Sequence, residues 1–371
     1  MTTINPLFGP NKLKLGLFGL NVDQACAITT IDGLFHPEWP IIKRISQLAD
    51  AAGFEALVPV ARWRGFGGKT NFNGSCLETF TWAAGVGGST DRIGVFSTSH
   101  VPTIHPIVAA KQATTIDHIT GGRFALNVVC GWFAPEMEMF GRTIMEHDER
   151  YAYAAEWLTI LKQLWTAEEE FDFTGKYFKI QKGFHQPKPI QRPFPPIMNA
   201  GGSSIGRHFA AKHCDMIFVH VKGDNIEAAR KDVAEVRELA SKEYGRDIQV
   251  WANCYCVIGD TDREALEFRD WYVKDKGDWE AVDNLVRTLG IQTGVLPKEM
   301  LEAAKYHFVA GWGGYPLVGT AERIASELEK LSGVGLDGVL LSWARYEEGL
   351  QRFIADVLPL LEQAGLRTAH D

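Results

Sequence analysis

The stretch TTIDHITGGRFALNVVCGW, residues 114–132, decides how this chain is to be folded. Its first part reads as the end of a helix, with apolar residues spaced three or four apart and a glycine stop at Gly121 and Gly122. Residues 124–129 then form an apolar run of the kind seen in a strand buried on both faces. Asn127 is its one polar interruption. An amide at such a place needs partners, because an unpaired buried polar group costs about 1–3 kcal/mol. At Gly131 and Trp132 the strand gives way to a loop that carries side chains over whatever Asn127 faces. Helix, glycine stop, buried strand and loop make one step of a larger α/β protein.

Working outward, strands are expected at residues 13–20, 55–60 and 92–97, the third running into polar Thr98, Ser99 and His100. Helices are expected at 41–52, 76–86 and 104–119. Beyond Trp132, DERYAYAAEWLTILKQLW (148–165) repeats its apolar residues at helical spacing, and residues 171–196 read as a small strand excursion. Further strands fall at 197–200, 216–221, 249–257 and 339–343, with helices opening at GGSS (201–204) and covering 225–243 and 349–361. Residues 278–319, which hold AGWGGYPLVG, lack clear periodicity in part and read as a flexible segment. Eight strands, each followed by a helix at intervals of about 30–40 residues, predict a single (β/α)8 TIM barrel over residues 1–371, its largest insertion after strand seven. A doubly wound sheet is the competing fold, and the missing GxGxxG after the first strand speaks against it.

At 46% hydrophobic and 23% charged residues, the 371-residue chain has the composition of a soluble globular protein with a substantial core. A net charge of −8 without a Lys/Arg cluster argues against nucleic acid or an anionic membrane as partner. The apolar run at residues 15–20 is too short to cross a bilayer and lacks a cleavage pattern. Six cysteines without a CxxC pair read as reduced thiols of a cytoplasmic protein. Eleven histidines show no HExxH spacing, so no metal site is expected.

In such a barrel the active site lies where the strands end. That rule gathers Asn21, the 61–70 loop, residues 98–100, 127–132 and 199–204, His220, residues 253–255 and 343–345 around one mouth. The set is poor in carboxylate pairs and rich in aromatics, amides and hydroxyls, which suits a flat cofactor that brings its own chemistry. GFGGKT (65–70) is no P-loop, since Trp63 stands where glycine is required; it is a solvated loop or a loop over the site, where Arg62 and Arg64 could hold an anionic or carbonyl group. GGSS makes either a phosphate cradle at a helix N-terminus or an ordinary cap by Ser203. Arg150 and Tyr151 are phosphate partners or simply helix surface. Trp132 reads as a core or lid residue, Glu136 and Glu138 as facing solvent, and Cys76 as a buried thiol. Thr98 and Asn127 are the polar residues with the strongest case, each ending or interrupting an apolar strand.

TIDHITGGRFALNVVCGW, EHDERY (146–151) and the NAGGSS turn together resemble the bacterial luciferase-like flavin monooxygenases, over nearly the whole chain. RGFGGKT (64–70), GWFAPEME (131–138) and the spacing of Thr98 to Asn127 resemble the pyrimidine oxygenases within that family. EHDERY and GGSS are similar to the dimethyl sulfone and alkanesulfonate monooxygenases. The resemblance implies a (β/α)8 barrel that takes reduced FMN from a separate NAD(P)H-dependent flavin reductase, uses O2, and oxygenates a small substrate, commonly as a homo-oligomer. It implies FMN contacts at Ala61, Arg62, Asn127, Glu136, Arg150, Tyr151, Gly202, Ser203 and Ser204. Arg150, Tyr151 and the GGSS turn would take the phosphate. Thr98 and Asn127 would lie by the reacting edge of the flavin, Arg64 and Trp132 would contact substrate, and residues 278–319 would form the lid. Asn253, Tyr255 and Trp312 stand where the alkanesulfonate enzymes carry cationic anchors, so a neutral cyclic amide or a sulfone is expected over a sulfonate. A deazaflavin-dependent dehydrogenase and a non-catalytic flavin-binding protein are the alternatives.

Overall fold

Eight parallel strands close into a barrel in the computed structural model, which describes residues 5–221, 226–290 and 297–368. In chain order the strands are β1 (Lys14–Phe18), β2 (Ala56–Val58), β3 (Gly94–His100), β4 (Phe124–Val129), β5 (Phe171–Thr174), β6 (Lys179–Gly183), β7 (Ile197–Asn199), β8 (Met216–Val219), β9 (Gln249–Ile258), β10 (Tyr315–Gly319) and β11 (Gly338–Ser342). The barrel runs β1-β2-β3-β4-β7-β8-β9-β11 and closes where β11 pairs with β1. β5 and β6 form a separate antiparallel hairpin between β4 and β7, the excursion expected there.

The helices are α1 (Trp39–Ala51), α2 (Thr79–Gly87), α3 (Pro106–Ile119), α4 (Ala134–Met139), α5 (His147–Thr166), α6 (Ser204–His213), α7 (Ile226–Tyr244), α8 (Asp262–Asp270), α9 (Trp279–Thr288), α10 (Lys298–Gly311), α11 (Ala321–Gly333), α12 (Tyr346–Arg352) and α13 (Leu358–Gln363). Local chemistry starts several of them. Glu78 accepts from the backbone N–H groups of Phe80 and Thr81 at the head of α2, and Thr320 caps α11 through Arg323 N–H.

Side-chain parity sorts each strand into two faces. Leu15, Leu17, Leu57, Val95, Leu126 and Val128 point outward into the shell of helices. Ala56, Val58, Phe96, Ala125, Met198, Phe218, Trp251 and Leu340 fill the barrel interior. Gly338 makes room for the largest of these, since a Cβ there would lie 2.6 Å from the Trp251 ring. The inward parity of β3 and β4 continues upward to Thr98 and Asn127, which face each other in register.

Two expectations need correction. Residues 278–319 are not a flexible stretch: α9, α10 and β10 occupy them, apart from 291–296, which lie outside the described residues. Both helices are short, α9 buries one face through Ala281, Val282, Leu285 and Val286, and Trp312 closes α10 in the left-handed region at φ 55°. β10 is a ninth parallel strand in the barrel sheet. It pairs with the upper half of β9, Cys254 to Ile258, while the lower half of β9 pairs with β8.

Candidate active site

A cavity of about 570 Å³ opens at the C-terminal ends of the strands. Its floor carries the Thr98–Asn127 pair, 5% and 7% exposed. Asn127 Nδ2 donates to Thr98 Oγ1 at 3.2 Å, and the Thr98 hydroxyl donates to the Pro59 carbonyl at 2.5 Å. Those two bonds fix the amide, and Asn127 Oδ1 is left buried without a partner. An acceptor held that way, inside an apolar barrel, is built for a ligand donor.

To one side lies a charged cluster beneath the 61–64 loop. Glu136 on α4 is completely buried, which corrects the expectation that it faces solvent. Its Oε1 accepts from Trp63 N–H at 2.7 Å, Arg64 N–H at 3.3 Å and Arg62 Nη1 at 3.2 Å. Oε2 lies 3.3 Å from Nδ1 of His100. Burial pushes the Glu136 carboxyl up, but the partnership with His100 and the Arg62 charge outweigh it and hold the group below its ordinary value. Arg62 is itself buried, its guanidinium 4.8, 5.2 and 5.6 Å from the ring centres of Phe66, Trp132 and Phe133. Cys76, whose thiol burial raises to about 12, stays an inert neighbour.

A cradle closes the other side. Ser203 caps α6 by accepting from Gly206 N–H at 3.2 Å, so the positive end of the helix faces the cavity with Gly202 open before it. Tyr151 packs so tightly on this turn that a Cβ on Gly201 or Gly206 would lie 2.9 or 2.6 Å from its hydroxyl. Burial raises the phenol, and a hydrogen bond with Ser203 opposes that shift. Arg150 Nη1 donates to Gly131 O at 2.6 Å, while its Nε is buried without a partner. Together the helix end, a hydroxyl pair and a cation make an anion seat.

The cavity therefore brings together Ala61, Arg62, Thr98, Asn127, Trp132, Arg150, Tyr151, Gly202 and Ser203. Three expected site residues stand apart from it. Arg64 is exposed, because its backbone rather than its side chain is drawn in by Glu136. Ser204 is exposed on the first turn of α6, and Glu136 supports the wall from behind. Asn21 does not line the cavity either: it staples Val60, accepting from its N–H and donating to its carbonyl, both at 2.8 Å. Asn253 donates to Gly311 O instead, anchoring α10. The sequence placed His100 and His220 at the mouth without a role, and both line it. Phe308 of the insertion was missed as a wall residue, since nothing in its spacing says that α10 folds over the barrel; Trp312, which the resemblance set in place of a lid arginine, lines the wall beside it.

Residues 20–338 match the luciferase-like monooxygenase family. The chain belongs to that family. Pyrimidine monooxygenase RutA of Acinetobacter baylyi is 31% identical, the alignment covering 94% of this chain and 95% of that one. Two solved structures share the fold: riboflavin lyase RcaE, crystallised with modified FMN and riboflavin (TM-score 0.84, 21% identity, covering 96% of this chain and 93% of that one), and long-chain alkane monooxygenase LadA (TM-score 0.83, 24% identity, 98% and 94%). This luciferase-like monooxygenase is a flavin-dependent enzyme, and its cavity fits a flavin on its own evidence. The unpartnered Asn127 Oδ1 and Arg150 Nε wait for ligand polar groups, and the α6 turn is open at Gly202 where a phosphate would sit. Among the described residues no helix is long and apolar enough to cross a membrane.

Proposed function

We propose that this chain is the oxygenase of a two-component system. It takes reduced FMN from a separate NAD(P)H-dependent reductase and transfers one atom of O2 to a small neutral cyclic amide of the pyrimidine type, in the cytoplasm. The observation that carries this reading is the buried, unpartnered Asn127 Oδ1 beside Thr98, set in a cavity whose wall from β1, β11 and the insertion is apolar: Phe18, Leu340, Leu289, Phe308 and Trp312. The curated relatives named pyrimidine monooxygenase support the substrate class.

Reduced FMN, when bound, supplies the two electrons that let one oxygen atom enter the substrate while the other leaves as water. The chain's residues supply the rest. Arg150, Tyr151 and the α6 turn would hold the phosphate, and Ala61 and Arg62 would flank the ring system. Asn127, locked through Thr98 to the Pro59 carbonyl, keeps its acceptor aimed inward without reorganising. The Trp132 and Trp312 rings exclude water, so a reactive species formed inside is not quenched by protons from solvent.

The test is 18O2 turnover with the purified protein, FMN, NADH and a flavin reductase. Uracil is expected to gain one labelled oxygen. Labelled product from dimethyl sulfone alone would move the assignment to the sulfone branch, and FMN binding without labelled product from either would favour a flavin-binding role.

A further inference from the structure

His100 closes β3 on the same inward parity as Phe96 and Thr98, is 3% exposed, and lines the cavity. Its Nδ1 is turned to Glu136 Oε2 at 3.3 Å, which leaves Nε2, across the ring, on the cavity side. Glu136 has already been matched by a cation, since its other oxygen meets Arg62. A proton on both nitrogens of His100 would therefore add an unbalanced charge among three side chains that are each at most 6% exposed. The remaining titratable groups on the wall are His147, Arg150 and Tyr151 of α5, Cys130 after β4 and His220 after β8, with Cys76 beside Arg62; burial raises the Cys130 thiol and the Tyr151 phenol. None of them supplies a second anion. With Nδ1 facing the carboxylate, the tautomer that puts its proton toward Glu136 carries its lone pair on Nε2.

We propose that His100 reads an N–H group of the substrate through Nε2, with Glu136 as the positioning residue that sets its tautomer. This rests on the cyclic-amide reading above and sharpens it. Asn127 Oδ1 and His100 Nε2 are two acceptors in one chamber. Two acceptors select a ligand that presents N–H donors; a sulfone or an N-methylated ring offers none. A site built to accept such a bond rejects an analogue without the donor far more strongly than an apolar pocket rejects one methyl group.

The test has two parts. In the flavin-free protein, 15N chemical shifts of the imidazoles, assigned by comparison with His100→Leu, are expected to show His100 protonated at Nδ1 and bare at Nε2 at pH 7. An Nε2–H tautomer or an imidazolium overturns the proposal. In the reconstituted enzyme, kcat/KM is measured for uracil and 1,3-dimethyluracil, and reduced-FMN binding by anaerobic fluorescence titration. The wild type is expected to prefer uracil. His100→Leu is expected to lose roughly 10- to 100-fold on uracil, the worth of one buried hydrogen bond, and little on the dimethyl compound. Should His100→Leu fail to fold, His100→Asn carries the same comparison, because its amide can donate to Glu136 from the place of Nδ1 but is too short to put an acceptor at the far edge of the ring. A variant that keeps the uracil preference, or that loses FMN affinity while keeping it, overturns the proposal alone. A wild type that oxygenates dimethyl sulfone and no cyclic amide overturns the substrate reading and this proposal together.

Discussion

Glu136 shows how much one side chain can organise. It sits on a helix of six residues, α4, and ties a loop, a strand end and a guanidinium to one buried carboxylate. Glu136→Ala strands the Arg62 charge in an apolar setting, and urea unfolding should register a loss of about 3–5 kcal/mol. The pH dependence has a definite sign. Because the folded carboxyl is held below its ordinary value, its stabilisation is complete above about pH 4.5 and disappears as the pH falls through the depressed value. Glu136→Gln should therefore flatten the acid limb of the stability curve, and an unchanged limb would count against the pairing. None of this was legible in GWFAPEMEMF, where two glutamates in a loop rich in Met and Glu read as solvent-facing. Asn127 was legible, because a lone amide in an apolar strand poses a question that only a site or a network can answer.

Elements are held to one another by equally specific contacts, and the turn before α6 is one of them. Gly201→Ala would push a methyl to within 2.7 Å of Asn199 Oδ1 and 2.9 Å of the Tyr151 hydroxyl. It should weaken FMN binding by at least about tenfold, the equivalent of one lost hydrogen bond. A Cβ on Gly202 meets nothing within 4 Å, so Gly202→Ala should leave the melting temperature unchanged. A second joint links α3 to the segment after β6. Thr114 Oγ1 meets His185 Nε2 at 2.9 Å, Lys111 reaches Gln186 O at 2.5 Å, and Asp117 accepts from Ile190 N–H at 2.6 Å. Burial, helped by Lys111 and Lys188, depresses the His185 pKa to about 4. The unfolded chain takes up this proton near pH 6.5 and the folded one only near 4, so the joint loses stability across that window and nothing further below it. Amide protection factors of residues 184–191, taken relative to the intrinsic exchange rate at each pH, should fall between pH 6.5 and 4, and His185→Gln should abolish the fall. The strands and helices framing these joints were readable from periodicity. β10 was not, because YPLVG is five residues with a proline, and its partner is the overhang of a strand whose length only the fold reveals.

For the whole molecule, eight strands share the work of closure, and the chain end locks it. Arg367, 6% exposed, donates to Glu55 Oε2 at 2.8 Å, Leu13 O at 3.0 Å and Gly53 O at 2.6 Å, pinning the terminus across β1 and β2. Arg367→Met leaves Glu55 buried without its cation, and thermal unfolding should show a loss of about 3–5 kcal/mol with the cavity residues untouched. At this scale the sequence was most informative, since eight alternations of strand and helix leave few topologies to choose among.

The overhang of β9 has one more consequence. The described residues of the insertion from 259 to 337 join the barrel sheet through the β9–β10 ladder, and main-chain bonds are indifferent to which side chains they carry. Its side-chain moorings to β9 include Asn253 to Gly311 and Tyr255 to His307. The cofactor seat comes from other parts of the chain, β2 through α6. Selection can therefore exchange the segment that meets the substrate as a cassette, while the machinery that handles electrons is inherited intact.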